Sequence, residues 1–203
     1  MKIIDSHTAI ETIKDTVTNK QCKKTFVIAI DGRASSGKTT FAAKLQKEIN
    51  APVISTDNFF RPRVNGKIEM TEFAGNFDLN RFKSEIIDAV LSDKTLEYGV
   101  FDCKQGRITH NVKPAKSDVY IVEGAYSLHP NLSEYADIKV FFTVNSEIQK
   151  DRIINRNGKD GYDNFKKIWI PAEERYLEHF DLESKCDYVV DTSMEVQNGK
   201  LRL

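Results

Sequence analysis

Three features of the 203-residue chain predict an α/β fold: a mostly parallel sheet of about five strands in three layers, with helices on both faces. The first is a set of short apolar runs rich in β-branched residues, TFVIAI at 25–30, DVYIVEG at 118–124 and IKVFFTV at 138–144, continuous rather than alternating. Such runs suit strands buried on both faces of a parallel sheet. The second is the helical spacing of apolar residues in the segments between the runs, which gives strand–helix–strand units with right-handed crossovers. The third is a glycine-rich junction between the first long run and the helix after it, at the sheet edge where ligands of such folds bind.

Taken in order, Ile10, Ile13 and Val17 predict an amphipathic helix in the first twenty residues with Ser6 as cap, and 25–30 predicts the first strand of the sheet. Phe41, Leu45 and Ile49 recur every fourth residue after Lys38, one apolar stripe on a helix. PVIST at 52–56 reads as the second strand, ending at Asp57. Between Phe59 and Phe77 periodicity fails, and Arg61, Pro62, Arg63, Asn65 and Gly66 mark an irregular excursion of the kind that often carries function. Phe82, Ile86, Val90 and Leu91 predict a helix capped by Asp78 or Asn80. Helices follow at about 146–156 and 162–180, the second interrupted by Pro171, then a core strand YVV at 188–190. The tail alternates around Asn198–Gly199, a hairpin signal.

Composition narrows the function. Thirty Lys plus Arg balance thirty Asp plus Glu, so no net field draws nucleic acid or an anionic membrane. Cys22, Cys103 and Cys186 are odd in number and widely spaced, which fits neither a disulfide framework nor a zinc set. Asp5 interrupts the N-terminal apolar residues, and no apolar run is long enough to span a bilayer. A cytoplasmic protein acting on a small molecule is expected, with homo-oligomerisation left open and one domain over residues 1–203.

The chemistry is concentrated in Gly32-Arg33-Ala34-Ser35-Ser36-Gly37-Lys38-Thr39, which fits the pattern G, four residues, GK, then S or T. Its place between a strand and a helix is the one the chemistry requires. Glycines let backbone N–H groups wrap a phosphate, and the helix N-terminus adds a favourable dipole. Gly32, Ala34, Ser35, Ser36, Gly37, Lys38, Thr39 and Thr40 are therefore the expected nucleotide-binding residues. Lys38 would meet the β and γ phosphates and Thr39 would offer its hydroxyl to Mg²⁺. A GTP switch is disfavoured, because the only Asn-Lys pair, Asn19 and Lys20, lies upstream and lacks the Asp of a guanine-reading motif. Asp57 and Glu123 end the second and third strands and should emerge beside the phosphate loop, one to accept a proton and one to hold Mg²⁺. Either alone also fits a turn residue or an ion-pair partner.

The strings GRASSGKTTFA, STDNFFRP (55–62), GNFDLNRF (75–82) and IVEGAYSLHPNL (121–132), in this order and spacing, resemble the uridine kinase family of P-loop nucleoside kinases over residues 22 to 192. The resemblance implies a P-loop NTPase fold, ATP with Mg²⁺, and transfer of the γ-phosphate to a hydroxyl, uridine being the first acceptor to consider. It makes Asp57 the general base, Glu123 the acid near Mg²⁺ with Thr39, and Asp78 a ribose-binding residue; Asp78 equally suits a helix cap. Phe60, Arg61, Arg63, Phe101 and Arg107 are candidate substrate contacts, the arginines being suited to an acceptor that carries an anionic group. A lid over about 146–162 would bring Arg152 and Arg156, four residues apart on one helix face, to the transferring phosphoryl group. Two features depart from the family: Lys104-Gln105-Gly106-Arg107 stand where its base-reading histidine is expected, and Asn157-Gly158 stand among the lid arginines. Other acceptors, of pantothenate, nicotinamide riboside or sugar-phosphate type, stay open. So does a nucleotide-binding regulator without kinase activity.

Overall fold

The computed structural model describes residues 2–20, 25–132 and 134–197. In chain order the elements are β1 (Lys2–Ile3), α1 (Ser6–Thr18), β2 (Phe26–Gly32), α2 (Lys38–Ile49) and β3 (Val53–Ser55). Next come α3 (Leu79–Phe82), a π-helical stretch Lys83–Ile87 and α4 (Asp88–Leu91), which form one continuous helical segment. Then follow β4 (Tyr98–Asp102), β5 (Arg107–Val112), β6 (Val119–Glu123), β7 (Ile138–Thr143) and α5 (Ser146–Asn164). A second π-helical stretch, Phe165–Trp169, leads into α6 (Ile170–His179), β8 (Tyr188–Asp191) and α7 (Thr192–Gln197).

Six strands form one sheet in the order β1-β8-β7-β2-β6-β3, every pairing parallel. β2 lies in its middle, and its side chains alternate between two cores. Val27 and Ala29 face one core with Ile54, Phe59, Phe82 and Tyr176; Ile28 and Ile30 face the other with Ile13, Phe41 and Leu45. Both faces of the sheet are thus covered, which is why its runs read as continuous apolar strings.

Several sequence expectations are corrected. The sheet of about five strands has six, and β2 is not the first of them, because β1 adds two residues at the edge beside β8, too short to show as a pattern. The cap of α1 is Asp5, whose carboxylate accepts from Thr8 N at 2.9 Å, and Ser6 is the first helical residue. β3 stops at Ser55 and Asp57 rides on a 3₁₀ turn, Thr56–Phe59. The expected gap between the helices at 146–156 and 162–180 narrows to a break at Gly158 (φ 74°, ψ 175°), and Pro171 does not interrupt the second stretch, because it falls in the first turn of α6 where proline is tolerated. β4 and β5 form an antiparallel hairpin outside the main sheet that no run had suggested. Residues 192–197 are helical rather than extended: the Asp191 carboxylate accepts from Ser193 N at 2.9 Å and starts the helix. The expected turn at Asn198–Gly199 lies outside the described residues, as does Cys22. No described helix is long and apolar enough to cross a membrane.

Candidate phosphate site and cleft

The loop after β2 is shaped by two glycines. Gly32 (φ +126°) lies opposite Phe142 of β7, and a Cβ there would overlap the Phe142 carbonyl oxygen and come within 2.7 Å of its nitrogen. Gly37 (φ +105°) is the left-handed residue that opens α2, and no side chain caps that helix. The first-turn N–H groups, at the positive end of the helix dipole, are thus available to an anion. Lys38 folds back over the loop, its ammonium donating to Gly32 O at 2.7 Å and Arg33 O at 2.8 Å. Two of its three N–H donors are engaged and one remains. The buried hydroxyls of Ser35 and Ser36 have no hydrogen-bond partner among the described residues.

Across the loop stand two carboxylates from neighbouring strands. Ser55 of β3 pairs in register with Glu123 of β6, so Asp57, two residues on, and Glu123 leave the same edge of the sheet. Glu123 is buried and takes a hydrogen bond from Thr39 at 3.1 Å. Gly124 (φ +127°) lets the backbone pass close to Thr56. Asp57 opens onto the cleft. Its carboxyl is pushed above the usual aspartate range, first by lost hydration between the cleft walls and then by the negative charge of Glu123; Lys38 and Arg156 oppose the shift. A carboxylate with this bias is a better proton acceptor than an ordinary aspartate.

The cleft measures about 720 Å³, and Lys38, Thr39, Asp57, Glu123, Arg152 and Arg156 all line it. The structure therefore brings together the expected phosphate, base, metal and lid residues. Ala34, Ser35, Gly37 and Thr40 line it as well, while Gly32 and Ser36 lie beneath as support. Arg152 donates to Ser35 O at 3.1 Å and to Thr192 Oγ1 at 2.8 Å. Arg156 is exposed, donates to Asn157 Oδ1 and lies 5.6 Å from the centre of the Phe165 ring.

The substrate contacts divide. Phe60 lines the cleft, while Arg61, Asp78, Phe101 and Arg107 are not among the residues that wall it. Asp78 caps α3, accepting from Arg81 N at 3.0 Å. Phe101 is buried and packs edge-on to Phe60 at 6.0 Å. Arg107 is exposed on the hairpin and donates to Gln105, and Arg63 reaches Cys103 O at 3.3 Å.

Several residues at the loop were not foreseen. Asp31, fully buried, accepts from Gly32 N at 2.7 Å, Leu128 N at 2.9 Å and Tyr176 OH at 2.7 Å; its burial pushes the carboxyl up against those bonds. Glu174 clasps Arg33 through two bonds of 2.9 and 3.0 Å, Gln149 donates to Ala34 O, and Glu173 accepts from Ala34 N at 2.8 Å. Asn76, Cys103 and Tyr126 also face the cleft. Asp31 was visible as a strand-ending aspartate before the motif. Glu173 had no signal, lying 139 residues from its partner.

A parallel sheet whose central strand runs into a GxxxxGKT loop and then a helix defines a P-loop nucleoside triphosphate-binding fold. Within that class the chain is similar in sequence to cytidylate and uridine kinases. It is 27% identical over 188 residues to a cytidylate kinase of Pyrobaculum islandicum, covering 87% of this chain and 89% of that one. It is 26% identical over 186 residues to a uridine kinase of Mycoplasma pneumoniae, covering 84% and 87%. A solved structure described as a possible uridine kinase from Bacillus stearothermophilus superposes with a TM-score of 0.67 at 21% identity, over 91% of this chain and 98% of that one. No family model matches the chain.

Proposed function

We propose that the chain is a kinase that transfers the γ-phosphate of ATP to a hydroxyl of a pyrimidine nucleoside in the cytoplasm. One observation carries the reading: Asp57 and Glu123, from neighbouring strand ends, face Lys38 and Thr39 of the phosphate loop across one cleft. Triphosphate would lie along the loop N–H groups, with the third N–H of Lys38 turned to it. Asp57 would take the proton of the acceptor hydroxyl, and Arg152 and Arg156 on α5 would meet the charge spreading over the phosphoryl oxygens.

The residues also fit Mg²⁺. Thr39 and Glu123 present a hydroxyl and a carboxylate 3.1 Å apart, hard oxygen donors of the kind this ion takes. Such an ion usually keeps several water ligands and takes others from phosphate, so it needs only one or two protein groups. Bound there, the ion would neutralise phosphate charge.

The acceptor class draws on the relatives, named for cytidylate and uridine kinase activity. The break at Gly158 supports α5 as a lid, because a left-handed glycine can act as a hinge between Arg156 and the rest of the helix. The test is acceptor-dependent ADP formation with uridine, cytidine, UMP, CMP and the pantothenate, nicotinamide riboside and sugar-phosphate acceptors. The reading expects uridine or cytidine to dominate, whereas dominance of UMP or CMP would mark transfer to a phosphate oxygen and remove the need for Asp57 as base. ADP formation that no acceptor stimulates would instead favour the regulator.

A further inference from the structure

The phosphate loop has an internal anion. Glu173 of α6 lines the same cleft as Lys38 and accepts a 2.8 Å hydrogen bond from Ala34 N, a backbone donor of the loop that would otherwise face a phosphate oxygen. Its helix is held in place on either side: Glu174 grips Arg33 through two bonds, and Tyr176 OH donates to Asp31. The carboxyl of Glu173 therefore stays near the loop when a phosphate arrives. Two anions sharing one N–H in a partly dehydrated cleft repel strongly, and the carboxyl has a cheap remedy, which is to take a proton.

The groups around it favour that outcome. Asp31 from β2 and Glu174 on its own helix add negative charge, Lys38 from α2 and the Ala34 N–H oppose them, and Tyr126 OH approaches from the loop after β6. Arg152 and Arg156 of α5, with Asp57 and Glu123, line the same cleft. With burial the largest cause, the carboxyl is raised to about 7 even without phosphate. Protonating such a group at pH 7.5 costs about a fourfold loss in apparent affinity, whereas an ordinary glutamate would cost about a thousandfold.

Building on the nucleotide reading above, we propose that Glu173 is an acid of the phosphate site. It holds the Ala34 N–H as a carboxylate while the loop is empty and carries a proton taken from solvent once the triphosphate is bound. Nucleotide binding is then coupled to proton uptake at one named side chain, a positioning role that leaves the transfer chemistry to other groups.

The experiment is calorimetric titration of the whole chain with Mg·ATP, without acceptor, in buffers of different ionisation heat at pH 7.5. Wild type should take up roughly 0.7 to 1 proton more per ATP than Glu173→Gln, because the carboxyl starts mostly ionised and ends protonated. Subtracting the two proteins cancels protons that belong to ATP itself. Glutamine keeps an oxygen for the Ala34 N–H, and a melting curve with circular dichroism checks its fold. A second readout needs no variant: between pH 7.5 and 9 the wild-type affinity for Mg·ATP should fall about tenfold per pH unit. Equal proton uptake in both proteins, or a flat affinity profile, overturns the assignment of Glu173 alone. Wild type that binds no ATP overturns the P-loop reading as well.

Discussion

Replacing Gly124 with alanine should damage both stability and the site, because this glycine lets the ends of β3 and β6 approach. Its φ of +127° is a conformation that side-chain-bearing residues adopt only under strain, which costs about 1–3 kcal/mol. A Cβ would also overlap Thr56 Oγ1 and lie 3.2 Å from Thr56 Cβ. Thr56 is fully buried, so the backbone must shift; overpacking of this kind costs about another 1–3 kcal/mol. The sum, roughly 2–6 kcal/mol, corresponds to a melting temperature lower by roughly 5–20 °C in a chain of this size. Asp57 follows Thr56 directly, and a displacement of about 1 Å can cost roughly 10² in rate. Differential scanning calorimetry alongside kinetics would read both effects. Gly66→Ala is the control: its φ is +74° with nothing within 4 Å of an added Cβ, so only the strain applies. Adding Thr56→Ala to the Gly124 variant removes the overlapping oxygen and should restore part of the loss. Equal melting shifts for Gly124→Ala and Gly66→Ala, with full activity in both, would refute the argument.

Lys38→Ala should abolish turnover, and because Lys38 is only 8% exposed and bonds two loop carbonyls, it should also lower stability by about 1–3 kcal/mol; urea unfolding and steady-state rates check the two parts. Arg152→Ala should weaken ATP binding as well as rate, since Arg152 holds Ser35 O and Thr192, while Arg156→Ala should lower chiefly the rate, by about 10-fold or more; kcat and nucleotide affinity measured separately distinguish them. Glu173 is raised in the folded chain to about 7 from an ordinary value of 4.5, so its native state binds a proton more readily than the unfolded chain. The favourable contribution is present below about pH 4.5 and is lost as pH rises to about 7. Wild type should therefore lose stability relative to Glu173→Gln across that window, by at most about 1.4 kcal/mol per pH unit and by less for the part of the side chain that faces water; chemical denaturation at several pH values measures it.

Strands β2, β6 and β7 were legible because burial on both faces leaves long apolar stretches in them, with charged residues mostly near their ends. The phosphate loop was legible because its glycines answer a local backbone demand, and Asp57 and Glu123 because strand ends in a parallel sheet share one edge. The β4–β5 hairpin was hidden: Arg107, Ile108, Thr109, His110 and Asn111 are all exposed, so no side of β5 carries an apolar signature. The break between 156 and 162 was legible and Gly158 takes the left-handed turn there, but the interruption expected at Pro171 was not found, because this proline falls in the first turn of α6. Glu173, Gln149 and Thr192 were invisible for another reason. Each meets the loop from more than a hundred residues away through a single hydrogen bond, a contact that tertiary packing creates and no local pattern announces.

The central claim, phosphoryl transfer to a pyrimidine nucleoside hydroxyl with Asp57 as base, is tested most directly by following the γ-phosphate itself. Wild type and Asp57→Asn would be incubated with Mg²⁺, γ-labelled ATP and each acceptor under single-turnover conditions. Label should pass to an acceptor on wild type, and the Asp57→Asn rate should be lower by roughly 10² to 10⁴ with ATP binding unchanged. Label that stays on ATP or appears only as inorganic phosphate, or transfer at full rate by Asp57→Asn, would contradict the account.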